Sequence, residues 1–323
     1  MYYIGVDLGG TNIAVGIVNS ELKIIDKGSV PTRPERESDA IVKDMADLCA
    51  RLLEKNNIPL DDVAYVGIAA PGIADSANGI IEYSCNLPFR RFCVREAFRK
   101  YLPVRTVYVE NDANAAALGE AKAGAARGTR NSLMITLGTG VGGGIIIDGK
   151  VYSGFNHAAG ELGHVVLVRG GRLCSCGRRG CFEAYSSATA LIKSTEEKLN
   201  ECRAKGIPTT MTDEVAANGG RINARVAFNA AKKGDAVARE VIDDYIAYLA
   251  DGLTNMINIF QPEILSIGGG ISGERDNLLR PLLSRIDRDQ YTRDSAHKCR
   301  LEIAQLGNDA GIIGAACLGM QET

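Results

Sequence analysis

IGVDLGGTNIAVGIV, residues 4–18, reads as an apolar strand, a turn rich in glycine and threonine, and a second apolar strand. The pattern returns as LMITLGTGVGGGII at residues 133–146. A shift of 129 residues sets Asp7 against Thr136, Gly9 against Gly138 and Gly10 against Thr139. One strand–turn–strand unit in each half predicts two related α/β domains. The length of 323 residues agrees with about two domains at ~150 residues each.

Outward from these hairpins, strands alternate with helices. Residues 38–56 carry Ile41, Met45, Leu48 and Leu52 at helical spacing, with Ser38 placed as the N-cap. Short apolar strands are predicted at 63–69 and 104–109, the second running into Glu110-Asn111-Asp112 and an alanine-rich helix over 113–123. The longest helical stripe spans 236–260 and stops before Pro262; a third glycine-rich turn follows the strand in ILSIGGGI, 264–271. Residues 203–222, polar and rich in Gly and Thr, read as a surface connection, and GNDAGIIGAACLG as a final helix entered at Asn308-Asp309. The alternation predicts α/β architecture with helices packed on sheets.

Composition excludes several classes. Thirty-seven Lys and Arg against 39 Asp and Glu give a net charge of −2, so no excess of basic charge recommends nucleic acid or an anionic membrane as partner. There is no apolar run of membrane-spanning length, and the N-terminus lacks the pattern of a secretory signal. A cytoplasmic protein is expected. Nine cysteines, six of them scattered, fit a reducing compartment in which a Cys cluster serves a metal or catalysis more often than a disulfide framework.

In DLGGTN (7–12), glycines leave backbone N–H groups free to face an anion. No Lys follows them, so it is not a P-loop, and the following strand rules out a dinucleotide fingerprint. The plain alternative is a simple hairpin turn. Recurrence of the turn with Thr11 and Thr139 beside the glycines points instead to two hairpins gripping a nucleotide's phosphates across a cleft, with Asp7 orienting Mg²⁺-bound water. Asp112, after a strand and before a helix, has two readings: helix N-cap, which position alone favours, and catalytic residue on a rigid strand end.

CSCGRRGC (174–181) holds three cysteines in eight positions, with nine residues between its first cysteine and His164 of ELGH. One imidazole and three thiolates from His164, Cys174, Cys176 and Cys181 suffice to close a tetrahedral zinc site. The Cys-x-Cys spacing is not the Cys-x-x-Cys of a redox pair. Gly177 and Gly180 would let the loop wrap an ion; His157 and His297 stand without motifs and read as structural or surface residues.

DLGGTN, the END triplet, LGTGVGGG, ELGH, CSCGRRGCFE and IGGGIS occur in the same order in the ROK family of sugar kinases and sugar-sensing repressors, which the whole chain resembles. The resemblance is strongest to the glucokinase branch. It implies a two-domain actin-like ATPase (ribonuclease H-like) fold with a cleft between domains. The small domain would be 1–112 completed by a C-terminal helix at about 306–323; the large one would be 113–305, with the zinc element at 164–183. The implied reaction is ATP-dependent phosphorylation of a hexose 6-hydroxyl, glucose first and another hexose or N-acetylhexosamine as the alternative. Asp112 becomes the general base. Asn111, Gly72, Asn86, Glu161, His164 and Glu183 would bind sugar. Asp7, Gly9, Gly10, Thr11, Asn12, Thr139, Gly140, Gly268, Gly269 and Gly270 would hold the nucleotide and its Mg²⁺. Zinc would sit on His164 and the three cysteines as a structural ion. A repressor would need a DNA-binding segment ahead of the first turn, which begins at Asp7, so the implied partners are sugar and nucleotide, not nucleic acid or membrane. A homo-oligomer, dimer or tetramer, is expected.

Overall fold

The computed structural model describes residues 1–321; Glu322 and Thr323, the end of the expected C-terminal helix, lie outside the described residues. In chain order the elements of the first part are β1 (Tyr2–Leu8), β2 (Asn12–Asn19), β3 (Ile24–Pro31), α1 (Ser38–Lys55), β4 (Val63–Ala70), β5 (Ile73–Asp75), β6 (Ile80–Tyr83), β7 (Arg90–Cys93), α2 (Val94–Tyr101), β8 (Val107–Asn111) and α3 (Asp112–Ala123). They continue as β9 (Ser132–Leu137), β10 (Val141–Ile147), β11 (Lys150–Val151), α4 (Glu183–Ser186), α5 (Ala188–Lys205), α6 (Met211–Ala217), α7 (Arg225–Lys232), α8 (Ala236–Phe260), β12 (Ile264–Gly268), α9 (Asp276–Asp289), β13 (Arg300–Ile303) and α10 (Ala310–Ala316).

The sheets repeat the duplication seen in the sequence. The first has the order β3-β2-β1-β4-β8 and the second β11-β10-β9-β12-β13. Numbered within each copy, both read 3-2-1-4-5. In the first copy β1 and β2 are antiparallel, with Asp7 opposite Ala14, while β1, β4 and β8 run parallel. β4, VAYVGIAA, is almost wholly buried along its length, which is why it reads as a continuous apolar run. β3 alternates between half-buried and exposed residues, the period-two pattern of an edge strand with one face on the core. A small antiparallel sheet, β5-β6-β7, follows β4.

The chain forms two compact units: residues 1–134, 143–160 and 304–323, and residues 135–142 and 161–303. In the first, Ile41, Val42 and Met45 of α1 share a core with Ile4, Val6, Ile13 and Val15 of β1 and β2. On α3 and α10, small residues let backbones touch: a Cβ at Gly314 would lie 1.8 Å from the Ala115 carbonyl, and one at Gly67 1.8 Å from that of Ala315. The alanine-rich sequence of α3 is therefore a packing requirement. The same contact places α3 with the first unit, whereas the resemblance ended the small domain at Asp112. In the second unit α8 buries Val241, Tyr245, Leu249, Leu253 and Met256 along one face. No helix among the described residues is long and apolar enough to cross a membrane.

Three local expectations are corrected. Ser38 is not an N-cap: Glu37 takes that position, and the Ser38 hydroxyl donates to the Pro88 carbonyl at 2.9 Å. Residues 203–222 are not a plain connection, because Met211 is fully buried and anchors α6 within them. The final α-helix is shorter than expected, Ala310–Ala316, with tighter turns at Gly307–Asp309 and Leu318–Gln321.

Candidate active site and metal centre

In the first unit the β1–β2 turn is closed by the Gly9 N–H donating to the Asn12 carbonyl at 2.9 Å and braced by the Thr32 hydroxyl, which donates to the Gly9 carbonyl at 2.7 Å. Thr32 was invisible to motif reading, since nothing in the sequence ties it to a turn 20 residues earlier. Asn86 stands beside Gly10, its Cβ 3.9 Å from where a Gly10 Cβ would be.

At the end of β8, the cap of α3 is Asn111, not Asp112: the Asn111 Oδ1 accepts from the Asn114 N–H at 3.1 Å. Asn111 also donates through Nδ2 to the Gly72 carbonyl at 3.0 Å and to the Asp112 carboxylate at 3.1 Å. Gly72 has φ +104°, and a Cβ there would lie 2.0 Å from the Tyr83 carbonyl, so only glycine suits this close turn. One asparagine thus caps the helix, fixes the 72 turn and steadies Asp112. The first unit brings Gly72, Asn111 and Asp112 together by direct bonds.

The buried Glu110 supports this arrangement from beneath. One carboxylate oxygen accepts from the Asn111 N–H at 2.8 Å and the Asn114 amide at 3.1 Å; the other accepts from the Ser76 hydroxyl at 2.7 Å.

Two carboxyls in this unit sit above their ordinary range. Burial, then the neighbouring Asp112 charge, pushes Asp7 up to about 6. Burial also raises Asp112, against its hydrogen bonds from the Ala113 N–H and Asn111. Asp7 packs so closely on α10 that a Cβ at Gly311 would lie 2.4 Å from its carboxylate.

Ionised Asp7 therefore costs stability in the metal-free protein. Between the ordinary 3.8 and about 6 the folded state holds a proton that the unfolded state has released, so stability from this group falls as pH rises through that window. Asp7→Asn is expected to raise stability at pH 7 by up to about 3 kcal/mol, from ~1.4 kcal/mol per pKa unit, and to make no difference near pH 3. Melting temperatures of the two proteins across that range check it; a variant less stable than the parent at pH 7 would contradict the burial argument.

In the second unit the LGTG turn is held from two sides. The Ala188 N–H donates to the Gly138 carbonyl at 2.8 Å, and the Thr189 hydroxyl to that of Thr139 at 2.7 Å. Gly269, φ +82°, lies against β9 so closely that a Cβ would be 2.4 Å from the Leu137 carbonyl oxygen. Together the turns line a cavity of about 320 Å³ with Gly138, Thr139, Ala188, Asn223, Arg225 and Gly270 among its walls. Its size is that of a small-ligand pocket. Asn223 and Arg225 were missed because nothing near them in sequence carries a motif.

The cluster of His164, Cys174, Cys176 and Cys181 is assembled as the spacing suggested, each donor atom within 4.8 Å of the others. Sγ of Cys176 and Cys181 are 3.7 Å apart, and Cys174 Sγ is 3.6 Å from His164 Nδ1. Tetrahedral coordination with metal–sulfur bonds of ~2.3 Å and metal–nitrogen bonds of ~2.0–2.1 Å needs S–S edges of ~3.8 Å and S–N edges of ~3.6 Å. The donor set fits a tetrahedral ion. Burial pushes the Cys181 thiol up to about 12, whereas the Arg178 backbone N–H holds that of Cys176 below its usual range.

The loop is tied at its base, with the Phe182 N–H donating to the Val165 carbonyl and the Gly180 N–H to that of Arg172, each at 2.8 Å. Phe182 packs over Gly252 of α8, and Tyr245 donates to the Ser186 carbonyl at 2.7 Å. His164 turns Nε2 away from the cluster toward the Glu161 carboxylate, 3.8 Å off. Glu183 accepts from the Ser175 hydroxyl at 2.8 Å and from the Val141 N–H at 3.0 Å, so it joins the cysteine loop to the LGTG turn. Thr139, Gly140, Ser175, Glu183 and Lys193 line a second cavity of about 290 Å³.

The two 3-2-1-4-5 sheets define an actin-like ATPase (ribonuclease H-like) α/β protein. The chain belongs to the ROK family, whose model matches residues 3–322. It is 35% identical to the glucokinase of Halalkalibacterium halodurans over 322 residues, 99% of this chain and 96% of that protein. The glucokinase of Thermotoga maritima is also 35% identical, over 98% of this chain and 96% of its own. A ROK family glucokinase from Streptomyces griseus, solved with glucose and AMPPNP, superposes with a TM-score of 0.78 at 34% identity, covering 98% of this chain and 99% of that one.

Proposed function

We propose that the chain is an ATP-dependent hexose kinase that transfers the γ-phosphoryl group to the 6-hydroxyl of glucose. The observation that carries the reading is the release of Asp112 from helix capping. Asn111 performs that task and leaves a carboxylate, raised by burial, at the end of a rigid strand.

An alcohol attacks phosphorus poorly until its proton leaves. Asp112 accepts that proton as the new P–O bond forms, a role worth typically ~10²–10⁴-fold. Asn111, Gly72 and Asn86, with Glu161, His164 and Glu183, bind the sugar hydroxyls. The glycine turns at 9–12, 138–140 and 268–270 offer backbone N–H groups to the nucleotide, so that alignment and charge neutralisation supply most of the remaining rate. Asp7 fits a Mg²⁺ ion carried by the nucleotide, because no cationic side chain compensates its carboxylate among the described residues and its charge is disfavoured until a cation arrives. Such an ion supplies positive charge to the phosphates. Zinc fits His164, Cys174, Cys176 and Cys181, where it is structural: it fixes the imidazole so that Nε2 stays toward Glu161 and holds the loop that carries Ser175 against Glu183.

Coupled ADP release against a panel of hexoses and N-acetylhexosamines tests the reading. Glucose is expected to have the highest kcat/KM, with mannose and glucosamine weaker. An N-acetylhexosamine or allose preferred tenfold over glucose would replace the substrate and keep the reaction type; no ADP release with any sugar would end the kinase reading.

A further inference from the structure

The geometry points to a binding site for a phosphate-type dianion in the first unit, at the opposite end of β8 from Asp112. Arg95 and Arg99 lie four residues apart on α2, hence on one helix face. The segment entering β8 adds Arg105. With Ser76, Thr106 and Tyr108 among its other walls, these three arginines line a cavity of about 330 Å³. No carboxylate lines it.

The three arginines are not equivalent. Arg95 is fixed by neutral acceptors: its Nε donates to the Val107 carbonyl at 3.0 Å, and its two terminal nitrogens to the Ala77 and Ser76 carbonyls, each at 2.9 Å. These bonds orient the guanidinium and leave its charge unbalanced. The side chains of Arg99 and Arg105 make no hydrogen bond or ion pair among the described residues. Elsewhere arginines in this chain commonly meet a carboxylate, as Arg36 meets Asp44 at 2.6 Å and Arg172 meets Glu197 at 3.1 Å. Three like charges around one concavity repel each other until an anion fills it.

The ligand chemistry follows from charge and shape. Three positive groups are balanced better by a dianion than by a single carboxylate. A tetrahedral oxyanion presents several oxygens to forked guanidinium donors, the match that makes Arg a phosphate reader. The cavity also has room for more than a bare phosphate, so a phosphate ester fits as well as the free ion. The site is separate from the proposed catalytic group. Val107 lines it, and Asn111 lies four residues further along β8, ~13 Å at ~3.3 Å per residue.

Calorimetric titration of the full chain with inorganic phosphate, and separately with glucose 6-phosphate, tests the proposal, with a nonhydrolysable ATP analogue present to fill the nucleotide phosphate positions. Saturable binding of one anion per chain is expected. The double variant R99Q/R105Q should weaken it at least about tenfold, as expected for lost charge-assisted hydrogen bonds, while leaving kcat and the KM values for sugar and ATP unchanged. Equal affinity for both probes marks free phosphate as the ligand; tighter binding of the sugar phosphate marks an ester. Absence of saturable binding, or affinity unchanged in the folded double variant, would overturn the site. Both substituted residues are exposed, so the variant is expected to fold; a melting curve verifies this, and R99K/R105K, which keeps the charge and loses the forks, should fall between parent and double variant.

Discussion

Asp112→Asn is expected to lower kcat at least ~10²-fold, the scale of a lost general base, while the protein stays folded and sugar KM changes by no more than a few fold. Two structural facts make the outcome decisive. The cap of α3 is the Asn111 side chain, whose bond to the Asn114 N–H does not involve Asp112. The Asp112 carboxyl is raised by burial, so its ionised form is a burden on the folded state. Removing the charge should leave the melting temperature unchanged or higher at pH 7. A capping residue would behave in the opposite way, losing ~0.5–2 kcal/mol of stability with catalysis intact.

The pH dependence has a fixed sign. A base works only when deprotonated, so kcat/KM should decline as pH falls through the raised Asp112 range. Asp7, titrating at about 6 in the metal-free protein, adds to the decline, because its protonation removes the charge that faces the cation. The acid limb should vanish in the residual activity of Asp112→Asn if Asp112 alone sets it. Persistence of an unchanged limb would assign it to Asp7.

How much of this was legible depended on how local the physics was. α8 was read to its boundaries because a 25-residue stripe closes before Pro262. The clustering of His164 with the three cysteines was legible because zinc chemistry constrains residue types and spacing within one short loop. The cap was misread by one position. Asn111 and Asp112 are both good capping residues, and only the backbone shows which one has left the helical region; Asn111 has ψ 146°. α6 was missed because its one buried anchor, Met211, sits among polar residues. Thr32 behind the first turn has no local signature, and Glu110, although it opens the END triplet, shows nothing in sequence of its supporting role. Each acts through a partner that the topology supplies, as when Ser76, 34 residues earlier, donates to Glu110. Glu161 and Glu183 were named by resemblance alone. The fold adds a physical role for Glu183, since its carboxylate bridges Ser175 and the Val141 N–H.

That bridge makes Cys176→Ser the second large effect. Cys176 is exposed and reaches no other functional side chain except through the cluster. Structural zinc contributes an apparent ~10–16 kcal/mol in small peptides, against a total stability of ~5–15 kcal/mol for a domain. Loss of the proposed ion need not unfold the unit, because the loop base is pinned independently by Phe182 on Gly252 and by the Tyr245 bond to Ser186. The tip, with Cys174, Ser175 and Cys176, is tied by polar contacts such as the Ser175 hydroxyl bond to Glu183 at 2.8 Å, and without the ion it should lose its order. His164 then loses the constraint on its ring, and Glu183 loses the Ser175 hydroxyl while keeping the Val141 N–H. Sugar phosphorylation is therefore expected to fall at least ~10²-fold, the scale of a misplaced site, with the sugar KM raised. Nucleotide affinity should change only a few fold, since the Thr139 turn is also held by Ala188 and Thr189. Elemental analysis of the parent should find one zinc per chain, and stripping it with a chelator should reproduce the variant's kinetics until zinc is restored. A metal-free parent with full activity would remove the ion from the account. A Cys176→Ser protein with normal sugar KM and kcat would show that the cluster braces the loop without positioning the sugar.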